Sequence, residues 1–158
     1  MKGLKLVINL LEILSFGALL ILVVFFAMSY SVLPENLPHI QIALNSFIQF
    51  NTKDVLIGLF LAGLLFYSIL FLLRKFPSLH VYPVKITVEN VEKQLYLSRL
   101  FIGLIKLIGM VGIVLLFLHV YYYLNEGILQ NLLRELMVTL GLMVLCVAVY
   151  IPVARHYR

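Results

Sequence analysis

The stretch VLIGLFLAGLLFYSILFLL, residues 55–73, decides the fold class of this chain. It contains no Asp, Glu, Lys or Arg, and its 19 residues would rise roughly 28 Å as a helix, close to the hydrocarbon thickness of a bilayer. Uncharged stretches of similar composition cover 13–34, 107–125 and 136–154. Because backbone groups in lipid must be hydrogen-bonded within their own segment, all four stretches are predicted to be transmembrane helices.

The composition agrees with a membrane protein. Of the 158 residues, 63% are apolar and 12% are charged, whereas soluble domains carry about 25% charged residues. This balance excludes a soluble globular enzyme, a disordered chain and a disulfide scaffold. The predicted fold is an all-α integral membrane bundle of four transmembrane helices in a single membrane domain, 1–158. Its predicted parts are spans at about 6–28, 55–73, 100–123 and 132–152, an outer loop 29–54, and an inner loop with a helix extension 74–99.

The first span has one alternative, a cleaved secretory signal. The basic start at Lys2 and Lys5 and the small residues near Ala27 fit such a signal. However, the apolar run from Leu6 to Phe26 is longer than the 7–15 residues typical of signal peptides. We therefore expect a retained helix.

The distribution of basic residues predicts the orientation. Ten of the twelve Lys and Arg residues fall on one side of the predicted spans, and only Lys53 and Arg134 fall on the other. Basic residues accumulate in cytoplasmic segments. We therefore expect both termini and residues 74–99 to lie in the cytoplasm, an N-in/C-in topology.

The connecting segments carry different signals. Pro34 and Pro38 predict an extended outer loop, and Pro77 and Pro83 an extended inner loop from 74 to 87. After Pro83, Thr87 is a candidate N-cap, with Glu89 in the first turn, where negative charge suits the helix dipole. The third helix is therefore predicted to run from about 88 to 123 and to extend into the cytoplasm.

Glu12 is the most informative single residue, because an acid within an apolar run is costly and often functional. Lys106 lies at a similar predicted depth: Glu12 is seven positions after Lys5, and Lys106 is seven positions after Arg99. We expect an intramembrane ion pair between Glu12 and Lys106. Snorkelling of Lys106 and a proton or ion relay through Glu12 are the alternatives.

Other motifs give weaker signals. No catalytic signature is present, and the four histidines fall on both predicted sides of the membrane, so no catalytic, cofactor-binding or metal site is predicted. Gly58 with Ala62, and Gly109 with Gly112, are typical of close helix packing.

Two segments resemble a known family: SYSVLPENLPH at 29–39 and FPSLHVYPVKITVEN at 76–90. They are similar to a bacterial membrane domain of unknown function, found at the N-terminus of the immunity and signalling protein for the sporulation-delay toxin, and to short stand-alone members from Bacteroidetes-like bacteria. The chain departs from the family pattern after His39, where Ile40 and Gln41 replace Phe-Asn. The resemblance implies no enzymatic activity.

We therefore expect a non-catalytic regulatory, sensing or immunity-type interaction protein. The expected partners are the lipid bilayer and either another membrane protein or a second copy, with no nucleic acid. An accessory structural subunit of a larger complex is the alternative, and a small transporter or channel is less well supported. The candidate partner surface comprises Pro34, Pro38, His39, Asn45 and Lys53. The candidate cytoplasmic motif comprises Tyr82, Pro83, Thr87, Glu89 and Asn90.

Overall fold

The computed structural model describes residues 2–33, 52–80, 82–126 and 132–156. The described residues are mainly helical, with no strand among them. Four helices are long and apolar enough to cross a membrane. They are α1 (Lys2–Val32), α2 (Thr52–Lys75), α3 (Val91–Glu126) and α4 (Leu132–His156). The prediction of four membrane-length helices is confirmed.

The helices pack as an antiparallel bundle around α3. Helices α1, α2 and α3 contact one another, whereas α4 packs mainly on α3. The start of α1, the end of α2, the start of α3 and the end of α4 therefore lie at one end of the bundle, which we call the basic end. At the opposite end Phe26 of α1 stacks on Phe60 of α2, with ring centroids 4.2 Å apart, and Phe117 of α3 is fully buried beside them.

The inner loop differs from its prediction. It was expected to be extended, but residues Pro77–Leu79 form a short 3₁₀ helix. Phe76, which precedes Pro77, is extended with φ −109° and ψ 95°, as the residue before a proline prefers. The fixed φ of Pro77 then suits the first position of a helical turn. The prediction of an extended loop was therefore wrong at residues 77–79.

The third helix is continuous, as predicted, but its bounds differ. Its regular hydrogen bonding begins at Val91, after a turn at 88–90, and continues to Glu126 without interruption. The predicted start at residue 88 was therefore wrong by three residues. The hydrogen bonds from the Asn90 and Val91 amides to the Thr87 carbonyl show that a tight turn precedes the helix.

Small residues allow close helix contact, but not at every predicted position. A Cβ atom at Gly109 would overlap Phe66 and Met143, and one at Gly112 would overlap Thr139. A Cβ atom at Gly58, by contrast, would meet nothing within 4 Å, and Ala62 is exposed. The predicted Gly58–Ala62 packing pair is therefore wrong among the described residues, and neighbouring Gly63 packs against Leu22 instead.

Candidate functional site

Three ionic side chains from three helices meet near the basic end, and we call Glu12, Arg74 and Lys106 the ion cluster. The Lys106 Nζ atom donates to Glu12 Oε2 at 2.5 Å, and the Arg74 guanidinium contacts Glu12 Oε1. The Lys106 side chain is fully buried, while those of Glu12 and Arg74 are 19% and 21% exposed. The predicted contact between Glu12 and Lys106 is thus present, and Glu12 links α1 to both α2 and α3.

Aromatic rings complete the surroundings of the Lys106 ammonium. Its nitrogen lies 4.7 Å from the ring centroid of Tyr67 and 5.8 Å from that of Phe71, both on α2. A cation above an aromatic face is attracted by the ring quadrupole, more so when water is excluded. The carboxylate and two rings therefore replace the water that a buried ammonium loses.

Sequence reasoning missed the part that Arg74 plays. Arg74 is the first charged residue after the uncharged stretch 55–73, so it was interpreted only as an orientation signal. An antiparallel arrangement of α1 and α2 places a residue near the end of α2 beside one near the start of α1. That topology, together with the rarity of acids in the spans, would have pointed to Arg74 as a second partner of Glu12.

A cleft with a volume of about 520 Å³ opens beside the ion cluster at the basic end. We call it the basic cleft; its polar lining comprises Lys5, Asn9, Arg74, Lys75, Tyr96 and Arg99. The buried Ile8 and the half-exposed Phe71 add apolar walls. Four cations converge here, and no carboxylate is among the lining residues that the structure describes. Arg74 belongs to both the cleft and the ion cluster.

His80 connects the inner segment to two helices. Its Nε2 atom lies 2.8 Å from the Leu73 carbonyl oxygen, and its Nδ1 atom lies 2.9 Å from Ser98 Oγ. Since a carbonyl only accepts, Nε2 donates its proton to Leu73. The Leu73 carbonyl lies in the last turn of α2, where backbone acceptors lack partners within the helix. His80 is 8% exposed, so this bridge from α2 to α3 is largely shielded from water.

Tyr82 packs against this bridge. Its hydroxyl lies 3.3 Å from His80 Nδ1 and 3.4 Å from the Pro77 carbonyl oxygen. Burial raises the pKa of the Tyr82 phenol, although the nearby Arg99 cation acts in the opposite direction. The phenol is therefore protonated at neutral pH, as a free tyrosine is, and its hydroxyl can donate a hydrogen bond. Tyr82, the first residue of the candidate cytoplasmic motif, therefore contacts the His80 side chain.

The rest of that motif forms a reciprocal cap before α3. The Thr87 amide donates to Asn90 Oδ1 at 2.8 Å, and the Asn90 amide donates to Thr87 Oγ1 at 3.3 Å. This exchange follows the geometry of a capping box, with Asn in place of Glu or Gln. Asn90 Nδ2 also donates to the Lys85 carbonyl at 3.0 Å. Glu89 is exposed in the turn and Pro83 is half-buried.

Gln94 connects α3 to α4 at the same end. Its Nε2 atom donates to the Ala154 carbonyl oxygen at 2.8 Å, and its side chain is fully buried. Ala154 lies in the last turn of α4, where the carbonyl has no helical donor. An amide from α3 therefore satisfies an acceptor that the end of α4 leaves available.

The candidate outer surface is described only in part. Pro34, Pro38, His39 and Asn45 lie outside the described residues. Lys53 lies in the first turn of α2, and its ammonium is 5.2 Å from the Tyr30 ring centroid of α1. This cation–π contact connects the helices that flank the outer loop.

Neither metal ligation nor comparison with known proteins assigns this geometry a function. Within the described parts of the chain, no three His, Cys, Asp or Glu residues are grouped so that they could hold a metal ion. No family model, curated protein or solved structure matches the chain.

Proposed function

We propose that this chain is a non-catalytic interaction protein of the bacterial inner membrane, of a regulatory, sensing or immunity type. In this proposal both termini and residues 74–99 are cytoplasmic, and α3 continues below the bilayer as part of the output surface. Residues 29–54 face outward and receive the signal or the partner. The cytoplasmic segment transmits the response.

The observation that carries this proposal is the bridge through His80. The imidazole contacts α2 at Leu73 and α3 at Ser98, while Tyr82 contacts the imidazole. A displacement of α2 relative to α3 would therefore break one of these hydrogen bonds or move the inner segment. Polar side chains of the spans offer less support for transport, because Tyr67 covers Lys106 and Thr139 packs against Gly112.

The proposed orientation is tested with single cysteines in a Cys146→Ser background. Ser31→Cys, at the end of α1, should react with a membrane-impermeant maleimide in intact cells. Ser78→Cys, in the 3₁₀ helix, should react only after the cells are permeabilised. Labelling of the second cysteine in intact cells would contradict the proposed orientation.

The proposed output surface is tested with a photocrosslinking residue at Val88, which is 96% exposed. We expect a discrete protein adduct in living cells, and a much weaker one when His80→Ala is added. Val144, an exposed apolar residue on α4, is the matched control position. An adduct at Val88 that His80→Ala leaves unchanged would contradict the role of the bridge.

An accessory structural subunit is the second candidate function. It is favoured by α4, which packs mainly on α3 and exposes large apolar residues such as Met137 and Val144. Such a surface fits lipid or the helices of another subunit. If adducts form at Val144 and a partner co-purifies in a fixed stoichiometry, this candidate replaces the first.

A further inference from the structure

The basic cleft holds more positive charge than Glu12, the acid that contacts Arg74, can balance. Among the described residues, ion pairs to a carboxylate involve Arg74 and Lys106, and both use Glu12. Lys5, Lys75 and Arg99 add three further cations around the same space. Like charges held together repel one another, most strongly where water is partly excluded. The arrangement is therefore most favourable when an anion occupies the cleft.

The orientation of a membrane protein explains only part of this arrangement. Basic residues accumulate on the cytoplasmic side whatever their contacts, and Lys85 and Lys93 are examples that do not line the cleft. The orientation rule does not explain why basic residues from three helices converge on one cleft. Lys5 comes from α1, Lys75 from the end of α2, and Arg99 from the first part of α3.

The chemistry of the lining indicates the kind of anion. Arg99 presents a planar fork of donors that matches phosphate oxygens, and lysines act as flexible point charges. The Asn9 amide and the Tyr96 hydroxyl offer neutral hydrogen bonds to the same oxygens. Ile8 and Phe71 would contact an apolar part of the ligand, such as the glycerol and first acyl carbons of a lipid.

We infer that the basic cleft binds a phosphate-bearing anion, either the headgroup of an acidic phospholipid or a soluble phosphate compound. Basic pockets between membrane helices are known binding sites for acidic headgroups. The cleft lies near the start of α1 and the end of α2. A headgroup would be found at this level if these helices span the bilayer. This inference goes beyond the proposed function and does not depend on it.

The test uses the full chain in phosphatidylcholine nanodiscs, with two added probes in separate arms. One arm adds cardiolipin, and the other adds inorganic pyrophosphate. Binding is measured by the rise in thermal unfolding temperature and by native mass spectrometry of the retained ligand. The variants Lys75→Gln and Arg99→Gln remove cations of the cleft, and Lys93→Gln is the charge-matched control on α3. Arg74 is left intact because it contacts Glu12.

We expect saturable binding of one probe, weakened about tenfold or more by Lys75→Gln or Arg99→Gln, since each variant removes a charge-assisted contact to the anion. Lys93→Gln should bind as the unmodified chain does. Binding in the cardiolipin arm alone identifies a lipid headgroup, and binding in the pyrophosphate arm identifies a soluble source. No binding in either arm, or an equal loss with Lys93→Gln, would overturn the inference. Lys75 is exposed at a helix end, so its variant should fold even if Arg99→Gln does not.

Discussion

The two ends of the helix bundle are held together by different interactions. At the basic end, buried or partly buried polar side chains connect the helices through Glu12, His80 and Gln94. At the opposite end the contacts are chiefly aromatic and aliphatic, with Phe26 stacked on Phe60 and Leu22 and Leu56 fully buried. Lys53 above Tyr30 is a charged contact there.

This difference matters because lipid changes how much each kind of contact contributes to the stability of the bundle. Apolar side chains gain little by leaving lipid for another apolar surface, so their contribution comes from close packing. A buried charge without a partner is costly in the same environment. The basic end should therefore set the register of the helices, whereas the opposite end should tolerate changes that preserve volume. The following predictions test this contrast, beginning with the largest expected effect.

Removal of the shared acid should cause the largest loss. Glu12→Gln leaves Arg74 and the buried Lys106 beside each other without a carboxylate, so the free energy of unfolding should fall by about 3 kcal/mol. Denaturant titration in detergent micelles measures the loss. Glu89→Gln, which removes an exposed acid, is the matched control and should change little.

The two cations of the ion cluster should not be equivalent. Lys106→Met leaves Glu12 in contact with Arg74, so it should cost only about 1 kcal/mol, because the remaining charges stay balanced. In the double variant with Glu12→Gln, the loss should be smaller than the sum of the single losses. If the losses of the two single variants simply added up in the double variant, Glu12 and Lys106 would not be energetically coupled. Glu12→Gln with unchanged stability but loss of a proton-coupled activity would favour the relay alternative.

Helix spacing should be the next most sensitive feature. Gly112→Ala places a Cβ atom against Thr139, a short β-branched side chain on α4 that cannot move its far end away. We expect a loss of about 2 kcal/mol from overpacking and a weaker association of α4 with α3. Gly58→Ala is the matched control, because its Cβ atom meets nothing within 4 Å. Equal losses for both variants would show that helix flexibility, rather than the contact with Thr139, decides the outcome.

The contrast between the ends also explains what could be predicted from the sequence. Charges are rare in the spans, so Glu12 and Lys106 could be matched by depth alone. Aliphatic and aromatic residues are abundant, so nothing distinguished Phe26 and Phe60 from other rings. The spacing of Gly58 and Ala62 favoured Gly58 over Gly63, which is the glycine that packs against α1. His80 was also missed, because its partners are a carbonyl at a helix end and a serine 18 positions away. Such contacts depend on how α2 and α3 are arranged.

The His80 bridge should have an intermediate effect. His80→Ala removes the donor to Leu73 and leaves Ser98 without its nitrogen partner, so we expect a loss of about 1.5 kcal/mol. Ser98→Ala should cost less, and the double variant should lose less than the sum, because both changes remove the same hydrogen bond. Thermal unfolding of the unmodified chain, the two single variants and the double variant measures the coupling between His80 and Ser98. A coupling of zero would mean that the bridge does not hold the inner segment.

The most local expected effect concerns the cap before α3. Thr87→Ala removes the hydroxyl that accepts from the Asn90 amide, which should cost about 1 kcal/mol. Because the cap lies on an exposed turn that precedes the helix, the loss should be local. Amide hydrogen exchange should accelerate at residues 90–91 and remain unchanged around Lys106. Thr87→Ser keeps the hydroxyl and should behave as the unmodified chain does. Faster exchange at both places would mean that the cap stabilises the whole bundle, and the basic end would then depend on its first turn as strongly as on its buried charges.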